Sequence, residues 1–385
     1  WTMKALQIGA GLVGRIIAAD LSRDFETTVV DFDPKNLEEA RKLAPKARVV
    51  QGSCTDEAVL APLLEEADVV TAGVPGRLGY GLMERVIRAG KPYSDISFMA
   101  EDFEALDGLA REAGCAVVPD MGVAPGMSNF LVGRGAALLE EVEEAVIYVG
   151  GIPERKVPPF NYQVTWSPED VIEEYTRPAR CVRDGAVREV EAMGELNQRE
   201  FPRVGVLETF ITDGLRSLVK NVKARTMEER TLRWPGHVEQ IRLLRDMGLF
   251  DTEPRNLGGA SVVPRKVACD LLFPLWKMDP DAGDRDLTVM QVEVTGFKGR
   301  DRVTHRWDLF DRYDEATGMY SMGRCTGSSC AIFARALAQG RISRPGVHAP
   351  EVLAGDDALY DFVLEQQSAR GLRYVESTRV VRDVR

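Results

Sequence analysis

The chain has 385 residues, a formal net charge of −11, 44% hydrophobic residues and 28% charged residues. That length exceeds one ordinary core and predicts two domains. The acidic balance argues against a nucleic-acid binder, whose phosphate contacts require clustered Lys and Arg, and no apolar run is long enough to predict a membrane span.

The first strand-like segment, 4–8, begins almost at once, so no signal peptide is expected and a cytoplasmic enzyme is anticipated. Apolar, β-rich runs follow at 27–30, 47–50, 68–72, 92–96 and 115–118, with helical patterns between them at 12–23, 34–43, 56–66, 79–89 and 101–113. Such alternation implies right-handed crossovers and a parallel sheet, the doubly wound α/β arrangement called a Rossmann domain. After Pro125 the rhythm changes. A helix is predicted at 126–139, strands at 145–150, 162–166, 287–297 and 303–310, and a helix at 236–247, without a regular βαβ beat. A small-residue helix at 328–339 is expected to pack back on the first domain. The predicted organisation is therefore a dinucleotide-binding domain over 1–125, completed by 326–385, around an inserted α+β domain of mostly antiparallel sheet over 126–325. Six scattered cysteines without a C-x-x-C pair, and only three histidines, argue against zinc, so no metal is expected.

The segment Gly9-Ala10-Gly11-Leu12-Val13-Gly14 is a G-x-G-x-x-G motif placed after the first strand and at the start of the first helix. In that context Gly9 serves the tight turn, Gly11 lets backbone reach a pyrophosphate and Gly14 lets the helix lie close on the strand. The helix start then offers N–H groups and a partial positive charge to phosphate. Asp31 ends the second strand, where a carboxylate accepts the ribose hydroxyls and repels a 2′-phosphate; Asp33 is a candidate to share that role. The cofactor predicted from these residues is NAD. Gly73-Val74-Pro75, after the fourth strand, is small enough to pass under a nicotinamide ribose, and Pro125-Gly126 would bring backbone to the nicotinamide end.

Five further segments carry a resemblance: Asp95-Ile-Ser-Phe-Met99, Asp120-Met-Gly-Val-Ala-Pro-Gly-Met-Ser-Asn129, Thr165-Trp-Ser-Pro-Glu-Asp-Val-Ile-Glu-Glu-Tyr-Thr-Arg-Pro178, Ile211-Thr-Asp-Gly-Leu-Arg-Ser217 and Leu232-Arg-Trp-Pro-Gly-His237. With the glycine motif, the chain resembles the lysine 6-dehydrogenase branch of the saccharopine dehydrogenase family. The resemblance implies a substrate domain that also carries a homodimer interface, and oxidation of the ε-amine of L-lysine with NAD. The products it implies are the semialdehyde, which cyclises, ammonia and NADH.

Hydride transfer from a carbon that bears nitrogen needs a neutral amine, a nearby base, and a grip on the substrate carboxylate. Arg177 and Arg216 are the candidates for that grip. His237, after the Trp-Pro-Gly turn, is the favoured base. Asp95 and Asp120, at strand ends where open sheets bind ligands, are further candidates, followed by Asp213 and Glu173. Trp166 and Tyr175 are candidates to wall the aliphatic part of the substrate. Each has a structural alternative: helix capping for Asp95 and Asp120, ion pairing for Asp213, Glu173 and the arginines, a backbone hydrogen bond at a helix start for His237, and core packing for the aromatics. Imine reduction of the saccharopine type, oxidation of another diamine or amino acid, and a non-enzymatic NAD sensor stay open beside the lysine reading.

Overall fold

The computed structural model describes residues 2–382. The first stretch alternates strand and helix: β1 (Lys4–Ile8), α1 (Gly14–Leu21), β2 (Glu26–Asp31), α2 (Pro34–Leu43), β3 (Arg48–Gln51), α3 (Glu57–Glu66), β4 (Val69–Ala72), α4 (Gly76–Arg88), β5 (Tyr93–Asp95), α5 (Asp107–Ala113), β6 (Ala116–Val118) and α6 (Met127–Ala137). The middle stretch holds β7 (Glu141–Pro153), α7 (Pro168–Thr176), β8 (Ala179–Arg183), β9 (Ala186–Val190), β10 (Asn197–Phe201), β11 (Gly205–Ile211), α8 (Leu218–Asn221), β12 (Ala224–Arg233), α9 (His237–Asp246), β13 (Arg255–Leu257), β14 (Ala260–Val262), α10 (Pro264–Trp276), β15 (Asp286–Lys298) and β16 (Asp301–Arg312). The chain then runs through α11 (Ser321–Ala338), β17 (Gly346–Val347), α12 (Pro350–Leu353), α13 (Asp357–Ala369) and β18 (Tyr374–Val381).

Two compact units result: Trp1–Leu138 with Gly323–Tyr374, and Leu139–Met322 with Val375–Arg385. The first contains a seven-stranded sheet in the order β17-β6-β5-β4-β1-β2-β3, with every pair parallel. Its core is built by apolar strand residues such as Leu6, Ile8, Val30 and Val70 against Leu60, Leu82, Val86 and Ile87 from the helices. Aspartates start the helices that follow: Asp33 accepts from Lys35 N at α2 and Asp56 from Ala58 N at α3.

The second unit is built on a nine-stranded sheet whose main path runs β10-β11-β12-β7-β15-β16-β18. β12 and β7 are parallel, and the other pairs whose register is given are antiparallel. Helices α7, α9 and α10 bury Ile172, Tyr175, Val238, Ile241, Leu272 and Trp276 in one cluster. No helix among the described residues is long and apolar enough to cross a membrane.

The observed units depart from the expected division at two places. The break at 125 falls one helix early. α6 is buried over most of its circumference, and within the first unit Phe130 meets Phe333 edge-on at 5.4 Å and stacks on Tyr360 at 6.1 Å. At the other end, β18 leaves the first unit and joins the sheet of the second beside β16, where Thr378 meets His305 at 3.1 Å. Its Val and Thr content suits an edge strand, whose ladder bonds form without a buried face.

Candidate functional site

At the carboxyl end of β1 the glycine turn is a backbone constriction. Gly9 has φ +88, and a Cβ there would lie 2.5 Å from the Gly73 carbonyl oxygen. A Cβ on Gly14 would lie 2.1 Å from the Gly9 oxygen, whereas one on Gly11 would meet nothing within 4 Å. Gly9 and Gly14 are therefore glycine for packing. Gly11 faces open space, the room a pyrophosphate needs. Leu12 and Val13 lead into α1, which carries no acidic residue in its first turn, so its positive end is unopposed. Beneath the turn, the buried Gln7 amide donates to the carbonyls of Ile8 at 3.0 Å and Gly9 at 2.8 Å, and its oxygen accepts from Thr71 at 2.6 Å.

Asp31 stands beside this turn. Its carboxylate accepts from Ala10 N at 2.6 Å and Asp33 N at 2.8 Å. Asp33 caps α2 through Lys35 N at 2.9 Å, which leaves Asp31 as the acid fixed at the strand tip. Phe32 follows with its ring 72% exposed. Gly73, Val74 and Pro75 are half-buried at the end of β4, and Pro75 begins α4.

Asp95 ends β5 and is wholly buried. Its carboxylate accepts from Asp120 N at 3.1 Å, from the Tyr93 hydroxyl at 3.2 Å and from the Ser97 hydroxyl. Burial pushes the carboxyl up to about 7, with the charge of Asp120 adding and the Ser97 bond opposing. Asp120 does not end a strand as expected. It lies just beyond β6 with φ 54, a left-handed turn held by Asp95. Pro125 and Gly126 belong to the first unit, and Gly126, with φ +132, packs so tightly that a Cβ would sit 2.2 Å from the Gly122 oxygen.

In the second unit, Tyr175 and His237 meet at 2.8 Å between the Tyr hydroxyl and His Nε2. His237 Nδ1 lies 2.9 Å from the Phe160 carbonyl, an acceptor only, so Nδ1 carries the proton and Nε2 accepts from Tyr175. Arg233, at the end of β12, donates to the Tyr175 oxygen at 3.1 Å and to Glu174 at 2.7 Å. Burial, then the charge of Arg233, drives the His237 pKa down to about 3. The turn therefore directs His237 into the core, with both ring nitrogens engaged, and not toward an open cleft as expected. Tyr175 is likewise a core residue, and Trp166 packs half-buried against the same cluster.

The remaining candidates fall into pairs. Arg177 ends α7 with its guanidinium 3.8 Å from Glu173, which also accepts from Arg265. Asp213 takes Arg180 in a fork, at 2.8 and 3.2 Å. Glu173 and Asp213 are thus ion-pair members, the structural alternative for both. Arg216 is buried in a left-handed turn, φ 52, close enough to Glu229 for its charge to act there. Sequence reasoning missed Gln7, Phe32, Glu174, Glu229 and Arg233. The signal for Gln7 is a lone amide in an apolar strand just before the glycine turn. For Glu229 and Arg233 it is two charged residues four apart, hence on one face, in the half of the strand that is buried throughout.

A family model described as the saccharopine dehydrogenase NADP binding domain matches residues 5–118, and one for the saccharopine dehydrogenase C-terminal domain matches 122–372. Saccharopine dehydrogenase [NADP(+), L-glutamate-forming] of Schizosaccharomyces pombe is 23% identical over 450 residues, covering 96% of this chain and 98% of that protein. Mitochondrial alpha-aminoadipic semialdehyde synthase of Mus musculus is 25% identical over 273 residues, covering 65% of this chain and 29% of that one. The apo saccharopine dehydrogenase (L-Glu forming) of Saccharomyces cerevisiae shares the fold with a TM-score of 0.79 at 20% identity, over 98% of this chain and 100% of the other. The chain belongs to the saccharopine dehydrogenase family, as an oxidoreductase whose first unit is a nicotinamide dinucleotide-binding domain.

Proposed function

We propose that this chain oxidises the ε-amine of L-lysine with NAD, the activity of the lysine 6-dehydrogenase branch. The observation that carries the reading is Asp31. The family model and the fission yeast relative carry NADP in their names, so the cofactor preference rests on this chain's own β2 tip. A carboxylate held there by Ala10 N at 2.6 Å, followed by Phe32 and Asp33, meets a ribose diol well and a 2′-phosphate badly. The glycine turn fits the rest of the dinucleotide, because Gly11 leaves space that a side chain would fill. In this reading the 9–14 turn holds the pyrophosphate, Asp31 the ribose, and Gly73–Pro75 with Pro125–Gly126 the nicotinamide half.

Arg180 is forked on Asp213, Arg233 is bound to Glu174, and Arg230 lies on Glu228. Arg216, buried and close enough to Glu229 for its charge to act there, is the arginine assigned to the substrate carboxylate. Bound NAD supplies the hydride acceptor. The free ε-ammonium titrates near about 10.4 and must lose its proton before the C–H hydride leaves. The resulting imine takes up water, releases ammonia and leaves the semialdehyde, which closes on its own α-amine.

The relatives' names favour a second reading, a saccharopine-type reaction, which needs a further set of cations for the glutamate part. One assay separates the two. With NAD and L-lysine, NADH and ammonia form in equal amounts. Turnover of saccharopine with glutamate release, and an inert response to lysine, would replace the first reading with the second.

A further inference from the structure

We propose that Phe32 is a specificity residue of the first unit, its ring being the platform on which the adenine of the dinucleotide stacks. This rests on the reading of the β2 tip as the place where Asp31 takes the adenosine ribose, and it assigns the base attached to that sugar.

Among the described residues Phe32 is the one exposed aromatic side chain, and at 72% it is the most exposed of the large apolar residues. The others of that class lie elsewhere: Met3 just before β1, at the opposite end of that strand from the glycine turn, and the rest beyond residue 180. The turn that carries the ring is held from several sides. Gly9 N donates to the Val30 carbonyl at 2.8 Å and Gly52 N to the Asp31 carbonyl at 2.9 Å, so the tip of β2 is fixed between the glycine turn and the tip of β3. Gln51 Nε2 donates to the Phe32 carbonyl at 3.4 Å, Asp33 N donates to the Asp31 carboxylate at 2.8 Å, and Asp33 then caps α2. The backbone is committed on both sides of Phe32, while its side chain is left in the open.

A single exposed apolar residue is ordinary, and it is the position of this one that carries meaning. Open parallel sheets bind ligands beyond the carboxyl ends of their strands. Phe32 stands there, next to the acid assigned to the ribose. A docking face for another protein needs a contiguous apolar patch, and the flanking Asp31, Asp33, Gln51 and Gly52 offer none. An isolated flat ring with room beside it matches a flat heteroaromatic base one sugar away. The ring also bears on the choice of cofactor. An arginine in this slot would stack on the base and pair with a 2′-phosphate, whereas a phenyl ring does the first and not the second. Asp31 and Phe32 then divide the work: the acid disfavours the phosphate, and the ring holds the base without supplying a cation.

The test is Phe32→Ala and Phe32→Tyr in the full chain, titrated by nicotinamide fluorescence with NADH and with reduced nicotinamide mononucleotide, which lacks the adenosine. No amine substrate is needed. Phe32→Ala should weaken NADH binding on the order of 5–100-fold and leave the mononucleotide affinity unchanged. Phe32→Tyr should keep NADH affinity within a few-fold of wild type, and both variants should melt like wild type because the ring is exposed. Unchanged NADH affinity in Phe32→Ala, or equal weakening of NADH and the mononucleotide, would overturn the proposal. The cofactor reading fails separately, if wild type binds NADPH more tightly than NADH. The same comparison then uses NADPH, and insensitivity of NADPH binding to Phe32→Ala overturns the platform role.

Discussion

The carboxylate of Asp31 and the backbone N–H of Ala10 are 2.6 Å apart, so the tip of β2 is tied to the glycine turn that begins α1. In the proposed reading the same residue sets negative charge beside the ribose that distinguishes NAD from NADP. Asp31→Ser should lower the ratio of kcat/KM for NAD over NADP on the order of 10–100-fold. Steady-state kinetics with both cofactors checks this, and an unchanged ratio would move the discriminating charge elsewhere.

The two later glycines of the motif should separate binding from folding. Gly14→Ala drives a methyl to 2.1 Å from the Gly9 oxygen, and overpacking of that kind costs roughly 1–3 kcal/mol. Its melting temperature should drop. Gly11→Ala has nothing within 4 Å of the added carbon. It should melt like wild type yet bind NAD about tenfold more weakly, because the methyl occupies the pyrophosphate's approach. Thermal melts paired with NAD titrations distinguish the two.

The arginine assignment predicts a split. Arg216→Ala should raise the KM for lysine about 100-fold with the KM for NAD nearly unchanged, since a charge-assisted pair is removed from a buried position. Arg177, just past the end of α7, sits 3.8 Å from Glu173 with its side chain 21% exposed. Arg177→Ala should shift either KM by no more than a few-fold, as pairs of that exposure contribute little. Equal, large effects of both variants would restore Arg177 to the clamp.

The parallel sheet and the glycine turn were legible because their signals are local. β-rich runs, intervening amphipathic helices and a glycine motif each report on a few neighbouring residues. Asp31 could be named from its place at the end of β2 alone. The second unit was less legible because its contacts are long-range. Gln163 reaches Asp284, Arg233 reaches Glu174, and His237 reaches Phe160. No local period announces such pairs. His237 shows the consequence: the Trp-Pro-Gly turn was visible, but its direction depends on Tyr175, supplied by a helix far earlier in the chain. The boundary at 125 moved for the same reason, since the burial of α6 is decided by Phe333 and Tyr360.

That buried histidine has a pH signature. Folded, His237 titrates near 3, against 6.5 for an exposed imidazole. The folded protein keeps it neutral, while below pH 6.5 the unfolded chain takes up a proton that the native state excludes. Stability contributed by the neutral ring is therefore complete above pH 6.5 and falls as the pH is lowered from 6.5 toward 3. The slope approaches that of one proton, about 1.4 kcal/mol per pH unit. In His237→Gln the side chain does not titrate, although its hydrogen bonds to Phe160 and Tyr175 are less well placed. The variant should melt lower than wild type at pH 7.5, and the gap should narrow at pH 5 as wild type loses its share. Calorimetric melts of both proteins across that range test the point. A gap that stays constant with pH would mean that His237 is reached by solvent and titrates alike in the folded and unfolded chains.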